Sequence, residues 1–302
     1  MAAPKVAARK PAAARKAEKK APARRAATKP AKRPASSSAA VKAEKPGRPN
    51  IKALARRLDQ AARAAEPVSQ ISNEVTLTLE QAYQVQKEAI RLRMLRREQR
   101  AGVKMGFTSR AKIAQMGIGD LIWGRLTDGM IVEEGAPIDF SNYIHPRVEP
   151  EIAFLLKRPL VGRITPMQAM EAVEAIAPAL EIIDSRYSNF KFSLEDVVAD
   201  NASSSGFVTG PWQLPDFDFG NLGLVLSFDG RPVQIGSTAA IMGHPLRSLI
   251  AAARFAEEAG EPLKPGWIVM AGGATAAEAL GAGQYVELEM ENMGRVAFGV
   301  SA

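Results

Sequence analysis

His145-Pro-Arg-Val-Glu-Pro-Glu-Ile-Ala-Phe-Leu-Leu156 sets two carboxylates, Glu149 and Glu151, one residue apart at the head of a short apolar run. Ile152 to Leu156 is apolar at every position and short, so it reads as a strand buried on both faces. Side chains two apart in an extended chain point to one face. Both carboxylates therefore leave the strand in one direction, close enough for like charges to repel. A buried pair of that kind takes up a proton or a cation. The alternative is an exposed strand end on which each glutamate pairs with a neighbour such as Arg147.

The remaining inventory restricts the cation. The chain has no cysteine, and its histidines are His145 and His244 alone. That excludes zinc sites built on Cys and His, apart from an arrangement using both histidines. A carboxylate-only site suits a hard divalent ion that keeps waters, Mg²⁺ or Mn²⁺.

Composition divides the chain. Residues 1–48 hold 15 Lys or Arg against 2 Glu, a balance of +13, while residues 49–302 carry 25 basic and 30 acidic side chains, a balance of −5. The overall +8 thus belongs to the first segment. That segment is almost wholly Ala, Lys, Arg, Pro and Ser, with no aromatic residue. It cannot bury enough apolar area to offset the entropy of ordering, so a disordered basic tail is expected. Its prolines also prevent a long helix. Tails of this composition resemble those of linker histones, which neutralise phosphates without reading sequence. Weak nonspecific binding to nucleic acid or another polyanion is one expectation, and a merely solvated extension the other. No apolar segment follows the charges as in a secretory signal. Residues 49–302 suffice for one catalytic domain, no apolar run approaches a membrane span, and the lack of cysteine is compatible with a reducing cytoplasm.

Helical patterns fall at Ala53–Ala65, at Thr78–Arg100 with Thr78 as N-cap, at Ala111–Met116, at Thr165–Ala177 and at Pro245–Ala259, the last ended by Gly260. Strand patterns fall at Val103–Phe107, Glu151–Lys157, Ala179–Asp184, Leu222–Phe228, Arg231–Ile235, Trp267–Met270, Tyr285–Met290 and Arg295–Val300, with Asp229-Gly230 as a hairpin turn. Early helices and later strands predict an α+β fold with a mixed, largely β core and peripheral helices. His244 precedes a helix and reads as its cap. Ser203, Ser204 and Ser205 have no nucleophile elbow around them.

Four segments carry a family resemblance: Leu77-Thr-Leu-Glu-Gln-Ala-Tyr-Gln-Val-Gln86, Lys104-Met-Gly-Phe-Thr-Ser-Arg-Ala-Lys112, Pro146-Arg-Val-Glu-Pro-Glu-Ile-Ala-Phe154, and Pro178-Ala-Leu-Glu-Ile-Ile-Asp-Ser-Arg186 with Val198-Ala-Asp-Asn-Ala-Ser-Ser204. Together they resemble the hydratase/decarboxylase branch of the fumarylacetoacetate hydrolase superfamily from about Leu77 to Val300. The resemblance implies that Glu149, Glu151 and Glu181 hold Mg²⁺ or Mn²⁺, and that Lys104 is catalytic. It also suggests substrate contacts from Asp128, Ser203, Ser204 and Thr275. Glu181 lies between apolar neighbours, where an unpaired carboxylate is costly; pairing with Arg186 is its alternative. Lys104, flanked by Val103 and Met105, is expected to be desolvated with a lowered pKa, unless it snorkels from a strand end. Asp128-Gly129 equally well forms a turn.

Two departures bear on the branch. Hydratases of this family carry Pro-Asp-x-Gly where this chain reads Leu121-Ile-Trp-Gly124, so Ile122 and Trp123 stand where an acid assists water addition. A drier pocket favours loss of CO₂. The resemblance accordingly implies decarboxylation of a small 2-oxo dicarboxylic acid, 2-oxo-3-hexenedioate (4-oxalocrotonate), to 2-hydroxypenta-2,4-dienoate in meta-cleavage degradation of aromatic compounds. Hydration of that dienoate is the alternative reaction, and a catalytically inert scaffold bearing a nucleic-acid-binding tail a remote third. It further implies a homo-oligomer and a complex with a dienoate hydratase. The second departure is Gly272-Gly273 in place of Ser-Gly, which leaves open which backbone amides serve the site.

Overall fold

Alternation along β4 (Arg147–Leu156) organises the molecule, because its two faces belong to different environments. The computed structural model describes residues 49–108 and 120–302, which belong to one compact unit. The basic tail and the helix expected at Ala111–Met116 lie outside the described residues. β4 pairs antiparallel with β5 (Val173–Ile183) through ten register positions, placing Glu149 directly opposite Glu181. On its other side runs β9 (Ile268–Met270), then β1 (Arg100–Gly106) and β2 (Ile122–Thr127). β6 (Ser204–Thr209) extends the sheet beyond β5, and β10 (Glu278–Ala279) joins β4 beside its start. A second sheet of five strands has the order β3 (Pro137–Asp139), β12 (Gly294–Ser301), β11 (Tyr285–Met290), β7 (Gly223–Phe228), β8 (Arg231–Ser237).

Even-numbered β4 residues Val148, Ile152, Phe154 and Leu156 enter the main core with Leu180 and Ile182 of β5. That core continues into the second sheet through Leu226, Leu288 and Phe298, and into α5 (Pro245–Glu258) through Leu249 and Phe255. The odd-numbered face carries Glu149 and Glu151, then Ala153, which gathers with Leu126 of β2, Met270 of β9, Ala179 of β5 and Phe207 of β6. Contacts among residues from both ends of one sheet mean that the sheet is rolled, with this face inside. The edges are stitched: Val132 N–H donates to Phe207 O at 2.9 Å, and the Asn201 side chain bonds Arg125 of β2. Helices α1 (Ile51–Ala64), α2 (Leu79–Leu95) and α4 (Leu194–Ala199) pack together with Ile122 and Tyr187. No helix among the described residues is long and apolar enough to cross a membrane.

This is the expected α+β architecture with a largely β core, and several local readings hold. Thr78 caps α2 in a reciprocal box with Gln81, and His244 Nδ1 accepts the Leu246 N–H at the start of α5. Asp229 and Gly230 both take left-handed φ in the β7–β8 hairpin, as a two-residue turn of this kind requires. Other boundaries move. α2 ends at Leu95 rather than Arg100, because Arg97 turns left-handed at φ 80° and Arg100 already opens β1. The helix expected to reach Ala177 is α3 (Pro166–Ala172), and Val173–Ala177 belongs to β5. Its alanines favour helix locally, but pairing along β4 overrides the preference. β4 itself starts at Arg147, four residues before the expected start, so both glutamates sit inside it.

Candidate metal centre

Glu149 and Glu151 share the inner face of β4, and Glu181 projects beside them from β5. One carboxylate oxygen from each lies within 4.8 Å of the others, and all three residues are buried. Glu151 Oε2 accepts the Gly272 N–H at 2.7 Å, while Oε1 is buried without a hydrogen-bond partner among the described residues. Glu181 Oε1 accepts the Ser204 hydroxyl at 2.9 Å, and Oε2 meets Lys104 Nζ at 2.9 Å. Three carboxylates with one neighbouring ammonium leave an excess of negative charge in a buried place. Burial first, then the Glu181 charge, raises the Glu151 pKa well above the ordinary carboxylate range; burial raises Glu181 too, against the pull of Lys104. Such a cluster binds protons or a cation. An all-oxygen set with an orphaned oxygen fits a hard divalent ion.

Lys104 reaches the cluster because Gly124 lies opposite it across β1 and β2; a Cβ at Gly124 would meet the lysine stem at 3.1 Å. The lowered lysine pKa expected from desolvation is corrected here. Burial does press it downward, but Glu181, Glu149 and Glu151 outweigh burial, and the pKa lies above the ordinary lysine value. Arg186, the alternative partner of Glu181, is instead committed to Asp200 and to the carbonyl of Asp184.

The loop between β9 and β10 explains the double glycine. Ala271 N–H bonds Ile152 O and Ala274 N–H bonds Pro150 O, so the chain bulges between them beside the glutamates. Gly272 has φ +98°, and a Cβ there would lie 2.4 Å from the Thr108 side chain; one at Gly273 would lie 3.1 Å from the Glu149 carboxyl carbon. The amide at the site is thus that of Gly272, which the sequence alone left open.

Other expected residues scatter. Ser204 touches Glu181, and Ser203 beside it has a buried hydroxyl with no partner among the described residues. Asp128 sits at the opposite end of β2 from Gly124, exposed, accepting the Gln99 N–H at 2.9 Å. Its side chain serves the turn. Thr275 donates to Ala276 O, and its methyl faces Gly236 of β8, so it does not join the cluster. Ile122 and Trp123 part company. Ile122 shares the inner face with Gly124 and Lys104, whereas Trp123 turns outward, pairs with Met105 and stacks on Phe255 with ring centroids 6.1 Å apart. Only Ile122 occupies the face on which an acid would meet Lys104.

The fold and this carboxylate centre define a family. The chain belongs to the fumarylacetoacetate hydrolase family, matching its C-terminal domain over residues 126–301. It is 54% identical over 248 residues to a 4-oxalocrotonate decarboxylase of a Pseudomonas species, covering 82% of this chain and 97% of that one. It is 35% identical to the TodF product hydratase of Pseudomonas putida F1, over 79% and 91% of the two chains. The solved structure of 4-oxalocrotonate decarboxylase from Pseudomonas putida G7, complexed with magnesium and adipate, superposes with a TM-score of 0.80 at 37% identity, over 83% and 97% of the chains.

Proposed function

We propose that this chain catalyses the Mg²⁺-dependent decarboxylation of 4-oxalocrotonate, a lyase step in the meta-cleavage degradation of aromatic compounds, with Mn²⁺ as a substitute ion. The observation that carries the reading is the convergence of Glu149, Glu151 and Glu181 with Lys104 on one rolled face, in a chain 54% identical to such a decarboxylase. In this reading the three glutamates hold the ion, Gly272 N–H orients Glu151, and Ser204 orients Glu181. The chemistry a divalent ion supplies in such a place is Lewis-acid polarisation of the substrate's 2-keto group.

The substrate's distal carboxylate is one vinyl unit removed from a β-keto acid. Its C–C bond can break with the electrons moving through the alkene toward the keto oxygen, giving CO₂ and 2-hydroxypenta-2,4-dienoate. Lys104, with its Nζ 2.9 Å from Glu181 Oε2, is placed to hold or deliver the proton for the keto–enol change. On that face β2 presents Ile122 where an acid would orient water for addition, which favours loss of CO₂ over hydration. Ser203, whose buried hydroxyl has no partner among the described residues, contacts the substrate, while Asp128 serves its turn and Thr275 faces β8. The catalytic domain is assigned to 49–302 and a basic tail to 1–48. The cytoplasm is the proposed setting, with which a chain that has no cysteine to oxidise is compatible. Homo-oligomerisation, and handover of the unstable dienol to a hydratase partner, complete the proposal. Incubating the purified protein separately with 4-oxalocrotonate and with 2-hydroxypenta-2,4-dienoate tests it. CO₂ release from the first is expected; hydration of the second without CO₂ release would assign the chain to the sister reaction.

A further inference from the structure

Asn201, Ala202 and Ser203 follow one another with φ of 54°, 52° and 60°. L-residues avoid this left-handed region, and a run of three persists only where the surroundings enforce it. Here the enforcement is explicit. Asn201 Oδ1 accepts the Arg125 N–H at 2.8 Å and Nδ2 donates to Arg125 O at 2.9 Å, both buried. On the free edge of β2 the side-chain amide thus makes the two bonds that a neighbouring strand would make. Asp200 Oδ2 accepts the Arg186 N–H at 2.9 Å, and Ser203 O accepts the Asp184 N–H at 2.8 Å, fixing the other end of the turn. The turn reaches the two members of the Lys104–Glu181 pair through their neighbours, Gly124 and Ser204. The Asn201 carbonyl packs on Gly124, where a Cβ would stand 2.7 Å from it, and Gly124 makes the room for Lys104. Ser204, the next residue after the turn, donates to Glu181.

We infer that Asn201 is a positioning residue of the carboxylate centre: by clamping the turn to β2, it sets the Ser204 hydroxyl against Glu181 and so tunes affinity for the divalent ion. The inference rests on the reading of Glu149, Glu151 and Glu181 as ion ligands. The test is calorimetric titration with Mg²⁺, without substrate, alongside thermal unfolding, for the full-length protein and for Asn201→Gly, Ser204→Ala and the double variant. Glycine keeps the left-handed backbone and removes only the amide. Each single variant should bind Mg²⁺ about tenfold more weakly, within the range typical of losing an outer partner of a metal ligand. The double variant should be no weaker than the weaker single one, because both changes cut one chain of contacts. Asn201→Gly with a lowered Tm but wild-type Mg²⁺ affinity overturns the inference, as does a double variant whose losses multiply. Should Asn201→Gly fail to fold, Asn201→Asp keeps the acceptor and removes the donor; wild-type affinity there also overturns it. A wild-type protein that binds no Mg²⁺ removes the ion-ligand reading itself, and this inference with it.

Discussion

The two faces of β4 follow opposite rules. On the even side Val148, Ile152, Phe154 and Leu156 are buried in a continuous apolar core, and their burial stabilises the fold. On the odd side Glu149 and Glu151 meet Glu181 in the buried interior of a rolled sheet, an arrangement that costs stability until a counter-charge arrives. One strand thus carries both the stability and the site that draws on it. The difference teaches that substitutions on the two faces should separate cleanly into loss of fold and loss of chemistry.

The strongest way to break the comparison is on the inner face. Glu149→Gln should lower metal-dependent turnover by about 10³-fold, as removal of a preorganised electrostatic group does, while the ion-free protein keeps or gains thermal stability because one repelling charge is gone. Turnover and unfolding curves on the same preparation check both halves; full turnover would sink the assignment. On the outer face, Trp123→Ala removes the ring stacked on Phe255 and should cost about 3–5 kcal/mol of stability. Its Mg²⁺ affinity by calorimetry should match the wild type, and a large loss of affinity would mean that the faces are coupled.

A smaller effect concerns pH. The folded pKa values of Glu151 and Glu181 lie above the unfolded value of 4.5, and Asp200 is pushed up to about 6, chiefly by burial. Raised carboxyl pKa values give stability that is complete below the unfolded pKa and is lost as pH rises through the folded one. The ion-free protein should therefore lose Tm as pH rises through about 6, where Asp200 ionises, and through the raised values of the two glutamates. Saturating Mg²⁺ should flatten the part due to the glutamates, since the ion replaces the proton. Parallel Tm profiles with and without the ion would contradict this.

Much of the inner face could be read directly from the chain, for a physical reason. The Glu149/Glu151 spacing encodes a shared face through strand geometry alone, and the Asp229-Gly230 turn and the His244 cap are equally local. The raised pKa of Lys104 is not legible in its flanking residues, because it depends on which carboxylates face it, and these come from β4 and β5. The Asn201–Arg125 clamp joins residues 76 apart and exists only because the sheet rolls. The outward turn of Trp123 likewise follows from register with β1, which nothing in Leu121-Ile-Trp-Gly124 reveals.

The smallest effect belongs to residues 1–48. Protein truncated to begin at Pro49 should keep its kcat, since Glu149, Glu151, Glu181 and Lys104 all lie after that point, and should elute from heparin at lower salt than the full chain, which carries the +13 segment. Loss of activity on truncation would place the segment within the enzyme or its assembly.

The most direct measurement follows CO₂ release from 4-oxalocrotonate by exhaustively chelated protein as Mg²⁺ is added back. Release should be near zero without the ion and rise to saturation with it, in wild-type protein but not in Glu149→Gln. Undiminished CO₂ release after chelation would contradict the account.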